Sequence, residues 1–193
     1  MHATAHATRW IRPPYALDEL EFLLACTRCG ECIRACPHDV IFPLSARLGA
    51  QVAATPALDL LNHGCRLCDD WPCVKACKSG ALELPEANEG EAIPPPRLAT
   101  VAVNTATCLA YLGPECGACA SSCPCPGAMI WEQEKPQIDP EMCTGCGMCR
   151  EACVVEPKAI EIGSLYGRIA GPHLNEATAQ RCGRQPRTQG RNR

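Results

Sequence analysis

The spacing of its cysteines constrains this chain more than any other feature. Residues 26–36 read CTRCGECIRAC and residues 143–153 read CTGCGMCREAC, with two, two and three residues between successive thiols. CRLCDDWPCVKAC at 65–77 and CLAYLGPECGACASSC at 108–123 repeat the pattern with longer gaps. The chain therefore carries four quartets of cysteines: Cys26, Cys29, Cys32, Cys36; Cys65, Cys68, Cys73, Cys77; Cys108, Cys116, Cys119, Cys123; and Cys143, Cys146, Cys149, Cys153.

The remaining composition is poor in the residues that usually build a core. The 193 residues include 18 cysteines but only three Trp, three Tyr and two Phe. Aromatic side chains normally supply much of the buried area of a domain. Since the free energy of metal binding can become free energy of folding, we expect groups attached to the thiols to supply part of the stability of this protein.

Disulfides are one use for so many cysteines, and they suit proteins of oxidising compartments. The N-terminal stretch MHATAHATRWIRPP has no basic region leading into an apolar run, as a secretory signal has. No stretch reaches the 18 apolar residues of a membrane span. The sequence as it stands predicts a cytoplasmic protein without a membrane span. The alternative is a periplasmic protein whose export signal is missing from this chain.

Iron–sulfur clusters explain the spacing best. Three cysteines at gaps of two residues can wrap around one [4Fe-4S] cube, and a fourth, after a gap of three residues, ligates a neighbouring cube. Structural zinc sites pair two separate knuckles instead, and no histidine lies within the quartets. The sequence therefore predicts four [4Fe-4S] clusters held by the sixteen cysteines of the quartets.

Two pairings of the quartets are compatible with this logic. In the sequential pairing, the first and second quartets exchange their fourth thiols, and the third and fourth quartets do the same. In the nested pairing, the first quartet exchanges with the fourth and the second with the third. The sequential pairing predicts these sets: Cys26, Cys29, Cys32, Cys77; Cys65, Cys68, Cys73, Cys36; Cys108, Cys116, Cys119, Cys153; and Cys143, Cys146, Cys149, Cys123.

The segments around the quartets predict short helices and strands. ECIRAC and MCREAC place two thiols four residues apart, which fits one helical turn. HDVIFPL, SGALEL, PGAMIWE and PKAIEIG each run from a turn into a short apolar strand, and strand-like runs also precede the third and fourth quartets. The fold class is therefore α+β, with tandem bacterial-type two-cluster ferredoxin modules that have many loops.

Four regions follow along the chain. Residues 1–25 form an arm and a lid helix, 26–95 a first two-cluster module, 96–170 a second, and 171–193 a basic tail of disordered composition. The Pro- and Glu-rich segment 84–97 divides the two modules.

The lid helix is predicted from ALDELEFLLA, where four apolar residues recur at helical spacing. We expect this stripe to face the core. Its members are Ala16, Leu20, Leu23 and Leu24.

A few residues outside the quartets also bear on the clusters. We interpret Cys125 as a buried, inert cysteine and Cys182 as an unpaired residue of the tail. Trp71, Tyr111 and Trp131 lie near the quartets, and we expect them to shield the clusters from water, because solvent exposure affects their potentials.

An electron carrier is the function that these features favour. The chain has no Gly-rich nucleotide loop, nucleophile elbow or paired catalytic carboxylates, so we predict a non-catalytic protein that binds redox proteins and not nucleic acid. Each oxidised cluster adds about two negative charges, which takes the formal net charge of −3 to roughly −11. This predicts a basic docking surface on the partner. The alternative is a maturation factor that helps to assemble another metalloenzyme.

The sequence resembles the MauM/NapG family of ferredoxin-type proteins. The resemblance covers roughly residues 9–165, including RPPYALDELEFLLACTRCGECIRACPHDVI, CRLCDDWPCVKACKSGALEL and CLAYLGPECGACASSCPCPGAMIWEQEKPQIDPEMCTGCGMCREAC. It implies a four-cluster electron carrier of periplasmic nitrate reduction or methylamine oxidation, whose ligands are the same sixteen cysteines. It also implies a membrane-bound quinol-oxidising partner and a terminal reductase or dehydrogenase, or, for the alternative, a role in maturing a molybdenum-dependent nitrate reductase. The family's usual twin-arginine signal is not present in this sequence.

Overall fold

The computed structural model describes residues 10–86 and 93–165, in which short elements are joined by loops. Residues 1–9, residues 87–92 within the predicted linker, and residues 166–193, which include the predicted tail and Cys182, lie outside the described residues. The α-helices are α1 (Glu19–Ala25), α2 (Glu31–Ala35), α3 (Pro72–Lys75), α4 (Leu109–Leu112) and α5 (Met148–Ala152). The strands are β1 (Ile41–Pro43), β2 (Pro56–Leu58), β3 (Ala99–Val103), β4 (Met129–Glu132), β5 (Lys135–Ile138) and β6 (Ile160–Ser164). The prediction of an α+β chain with short elements is confirmed.

The strands form three antiparallel pairs. β1 pairs with β2, β4 pairs with β5 as a hairpin, and β3 pairs with β6. The β3–β6 pair places Val101 opposite Ile162, so it joins the strand before the third quartet to the strand after the fourth. Because both strands flank quartets, this pair holds the ends of the second half of the chain together.

Most of the predicted local structure around the quartets is confirmed. The two single-turn helices are α2 and α5, and strands follow the first, third and fourth quartets as β1, β4 and β6. The prediction of a strand after the second quartet is wrong. SGALEL makes only an isolated bridge, between Leu82 and Ala16, because the partner it meets is the turn before α1 rather than another strand.

The first, second and fourth quartets share one backbone turn. The second residue after the first thiol is Arg28, Leu67 or Gly145, with φ of 59°, 48° and 75°. This left-handed conformation is uncommon for a residue that has a Cβ atom. At Gly145 a side chain is also excluded by space, since a Cβ would lie 2.1 Å from the carbonyl oxygen of Ala99 on β3.

The orientation of α1 differs from the prediction. The helix spans Glu19–Ala25, and its fully buried residue is Phe22. Leu23 packs partly against the core, whereas Leu20 and Leu24 are 69% and 80% exposed. The prediction that Leu20 and Leu24 face the core is therefore wrong.

A buried ion pair explains this orientation of α1. The guanidinium of Arg12 donates to both carboxylate oxygens of Glu19, at 2.9 and 2.6 Å, and lies 4.6 Å from the centre of the Phe22 ring. Arg12 also donates to Thr55 Oγ1 and Pro56 O. Because a buried charge needs partners, Glu19 and Phe22 are held inward, and the leucines on the other face point to solvent.

One hydrophobic core extends across both halves of the chain. Phe22 and Val74 of the first half belong to the same buried cluster as Leu98, Ala128 and Cys146 of the second. The boundaries of the two predicted modules remain a prediction. No helix among the described residues has the length and apolar character needed to cross a bilayer.

The two halves meet at the second and fourth quartets. The backbone N–H of Cys65 donates to the carbonyl of Cys146 at 2.8 Å. Glu151 accepts from Arg66 at 2.8 Å and from the backbone N–H of Gly64 at 2.7 Å. A Cβ at Gly64 would lie 2.7 to 2.9 Å from atoms of Met148, so these backbones approach as closely as a glycine permits.

We expect Gly145→Ala to destabilise the protein by about 4 kcal/mol or more, because it adds a backbone clash to the cost of a left-handed residue. Gly127→Ala is the matched control. Gly127 has φ of 82° but open space around its Cβ position, so it should lose only about 1 kcal/mol. Urea unfolding of anaerobically purified protein, followed by circular dichroism, measures both. Equal losses in the two variants would contradict the close approach of Gly145 to β3.

Candidate iron–sulfur sites

The sixteen thiols of the quartets lie in four sets. Three of the sets each line one cavity of the structure. These are Cys36, Cys65, Cys68 and Cys73; Cys108, Cys116, Cys119 and Cys153; and Cys123, Cys143, Cys146 and Cys149. The remaining thiols, Cys26, Cys29, Cys32 and Cys77, form one more set, in which the other three lie close enough to Cys32 to raise the pKa of its thiol. We number the sets by the quartet that supplies three of their thiols.

This grouping matches the sequential pairing and not the nested one. Cys36, at the end of α2, leaves the first quartet and joins the second set, while Cys77, after α3, joins the first set. Cys123 and Cys153 are exchanged in the same way between the fourth and third sets. The short helices make this exchange possible, because the thiol after each turn is carried away from the loop that holds the other three.

The sets follow one another in an order that differs from their order in the sequence. Cys32 of the first set lies close enough to Cys73 of the second to raise the pKa of the Cys73 thiol. In the same way, Cys119 of the third set raises the pKa of Cys149 of the fourth. The second and fourth sets meet where Cys65 is hydrogen-bonded to the Cys146 carbonyl. The order along the molecule is therefore first, second, fourth, third.

Burial makes these thiols poor acids in the absence of a cation. It raises the pKa of Cys32 and Cys119 to about 11 and that of Cys65 and Cys73 to about 12, and neighbouring thiols raise the pKa further. Burial also raises the pKa of Cys149. Four such groups ionise together only when positive charge lies among them, which iron provides.

Backbone N–H groups are directed at several of the sulfurs. The N–H of Leu82 donates to Cys77 Sγ at 3.4 Å, and the N–H of Leu67 lowers the pKa of Cys65 against the effect of burial. Hydrogen bonds to thiolate sulfurs adjust the potential of a cluster. The donor set of four thiols, with N–H groups directed at some of them, fits a [4Fe-4S] cluster at each site.

A cubane needs its thiolates spread around its corners rather than gathered on one ion. Within residues 10–86 and 93–165, no group of three or more His, Cys, Asp or Glu side chains is arranged to hold a single metal ion. That finding and the four sets of thiols are compatible, because each set surrounds a volume rather than a point.

Cys29 differs from the other thiols of the quartets in its exposure to solvent. It is exposed, unlike the other fifteen thiols of the quartets. The backbone N–H of Glu31 and the side chain of Thr27 lower the pKa of Cys29. The first set therefore has one sulfur at the protein surface.

Two of the three aromatic residues predicted to shield the sites line a cavity of the thiols, and the third lies behind one. Trp71 lines the cavity of the second set, and Trp131 lines that of the third. Tyr111 reaches the wall of the third cavity through Pro136, whose carbonyl accepts from its hydroxyl at 3.1 Å.

Cys125 is a fifth cysteine beside the fourth set. It is 3% exposed and lines the same cavity, and its sulfur lies 3.8 Å from Thr144 Oγ1. The prediction that Cys125 is buried is confirmed. It is not a free thiol but disulfide-bonded, whereas the sixteen thiols of the quartets are free.

Sequence reasoning missed the residues that join the second and fourth sets. Gly64, Arg66 and Glu151 stand beside quartets, but nothing in the cysteine spacing relates one half of the chain to the other. Their roles follow only from the contacts described above.

Comparison with known proteins agrees with this chemistry. The model of the 4Fe-4S binding domain matches residues 24–42 and 136–153, which hold the two quartets with regular spacing. The chain is 36% identical to the ferredoxin-type protein NapG of Haemophilus influenzae over 166 residues, which cover 79% of this chain and 58% of that relative.

In two further relatives the matched region spans a larger share of the relative's own length. NapG of Escherichia coli is 36% identical over 165 residues, or 79% of this chain and 69% of the relative. The methylamine utilization ferredoxin-type protein MauM of Methylobacillus flagellatus is 36% identical over 172 residues, or 82% of this chain and 70% of the relative. With iron–sulfur binding motifs and relatives of this similarity, the chain belongs to the NapG/MauM family of ferredoxin-type proteins.

Proposed function

We propose that the sixteen thiols of the four sets hold four [4Fe-4S] clusters, and that the protein relays single electrons between two redox proteins. The observation that carries this proposal is the placement of the quartets' thiols in four sets of four. Each cluster, when bound, supplies one-electron chemistry at nearly constant geometry. The chain supplies the thiolates, the N–H groups directed at the sulfurs and the apolar cover.

The arrangement of the sets supports a relay rather than a store of electrons. The second and fourth sets are in contact in the middle of the order, and the first and third sets stand at its two ends. The Cys65–Cys146 hydrogen bond and the Arg66–Glu151 ion pair fix the central contact. Two partners can therefore use opposite ends of the molecule.

The partners we propose are a donor and a redox enzyme. Following what the resemblance to the MauM/NapG family implies, the donor is a quinol-oxidising membrane protein or a reduced carrier, and the acceptor is a reductase or dehydrogenase. The cytoplasmic location inferred from the sequence remains a prediction.

The content of iron tests the ligands. Anaerobically purified protein should contain about sixteen iron and sixteen sulfide per chain. Cys32→Ala should reduce the iron to between about twelve and about fifteen, because one cluster loses a thiolate and with it at least one iron. Ile33→Val, the matched control next to Cys32 on α2, should keep about sixteen. Loss of iron in the control, or its full retention in Cys32→Ala, would contradict Cys32 as a cluster ligand.

Electron transfer tests the relay itself. We expect the reduced protein to show four magnetically interacting [4Fe-4S]⁺ clusters by EPR and to be reoxidised rapidly by an oxidised redox protein. Stable binding to an iron- and cofactor-free reductase, with no electron exchange, would instead support the maturation role.

Gly64→Ala tests the order of the sets. An added Cβ must push Met148 away, which separates the second and fourth sets, so the EPR interaction between their clusters should weaken. Gly117→Ala, beside Cys116 in open space, should leave the spectrum unchanged. An unchanged spectrum in both variants would argue against this central contact.

A further inference from the structure

The outward face of α1 is a surface that the cluster sites do not explain. Leu20 and Leu24 are the most exposed large hydrophobic residues of the described chain, at 69% and 80%. They stand four residues apart on one helix and therefore lie side by side. A single exposed leucine is ordinary, but a paired apolar patch beside a functional site indicates contact with another molecule.

This face adjoins the one thiol set that has a sulfur at the surface. α1 ends at Ala25, and Cys26 of the first set follows directly, with its backbone N–H donating to Phe22 O at 2.8 Å. Cys29 of the same set is exposed. The first set also stands at an end of the order of sets, where a partner can approach.

The charge beside the two leucines is predominantly negative. Asp18 and Glu21 are exposed beside the leucines, and residues 15–27 contain no Lys or Arg. The guanidinium nearest to the helix, that of Arg12, is buried and paired with Glu19, and Arg34 is paired with Glu31. Arg28 keeps its charge but is held away toward the carbonyls of Ala53 and Gln51. A bound cluster would add about two further negative charges.

We propose that the Leu20–Leu24 face of α1 docks a redox protein whose contact surface is apolar and ringed by Lys or Arg. This inference rests on the proposed relay. At each encounter one electron passes between the two proteins, so that one is oxidised and the other reduced by one electron, and no atom is transferred.

Charge favours this occupant over two others. A second copy of the chain would bring Asp18 and Glu21 against the same acidic surface, which costs energy. An anionic membrane surface attracts Lys and Arg rather than carboxylates. Of these three occupants, only a basic redox protein matches both the apolar pair and its acidic border.

The test uses zinc-substituted cytochrome c, a redox-inactive protein with lysines around an apolar patch, and the cluster-loaded chain. Calorimetric titration at low salt should give a Kd that rises about tenfold in Leu20→Gln/Leu24→Gln. Leu48→Gln/Leu61→Gln, a pair of exposed leucines outside α1 and outside the cavity of the third set, is the control and should leave the Kd unchanged. Glu21→Gln should reduce the dependence of the Kd on salt.

Hydrogen exchange gives a second measurement that needs no variant. Binding of the probe should slow exchange in the peptide that contains residues 19–25. Absence of that protection, an unchanged Kd in Leu20→Gln/Leu24→Gln, or a larger effect of the control pair would each overturn the docking surface.

Reduction of native, redox-active cytochrome c by the reduced protein tests the docking surface and the relay separately. If the reduced wild-type protein binds it at α1 but does not reduce it, the relay fails and the surface stands. If the protein reduces it at the same rate with and without the two leucines, the relay stands and the surface fails.

Discussion

The exchange of one thiol between neighbouring sets is the constraint on which the rest of this structure depends. Cys36 and Cys77 cross between the first and second sets, and Cys123 and Cys153 cross between the third and fourth. A short α-helix precedes three of the four crossing thiols, Cys36, Cys77 and Cys153, so α2, α3 and α5 have little freedom in length. The same crossings bring two sets close together, which is the arrangement that electron transfer needs.

The core that packs around the thiol sets contains few large side chains. Phe22 is the one phenylalanine in the core, and its ring also contacts the buried guanidinium of Arg12. Pairs of strands rather than a continuous sheet join the segments. Iron–thiolate bonds would complete this structure, since a core so poor in aromatic residues contributes less apolar burial than usual.

Much of the site could be predicted from sequence, because ligation depends on local spacing. The quartets, the helical turns at α2 and α5 and three of the four following strands all follow from residues close in the chain. The outward position of Leu20 and Leu24 could not be predicted in this way. It depends on Arg12 meeting Glu19, Thr55 and Pro56, which are distant contacts that leave no periodic signal. The central contact of Cys65 with Cys146 is non-local for the same reason.

The crossing thiols also bear on how the protein is made. The first set lacks a ligand until Cys77 has been synthesised, and the third lacks one until Cys153 has been added. Neither half can acquire a complete pair of clusters from a partly synthesised chain that stops between its two quartets. We therefore expect cluster insertion to act on whole halves of the chain, late in translation or after it, rather than quartet by quartet.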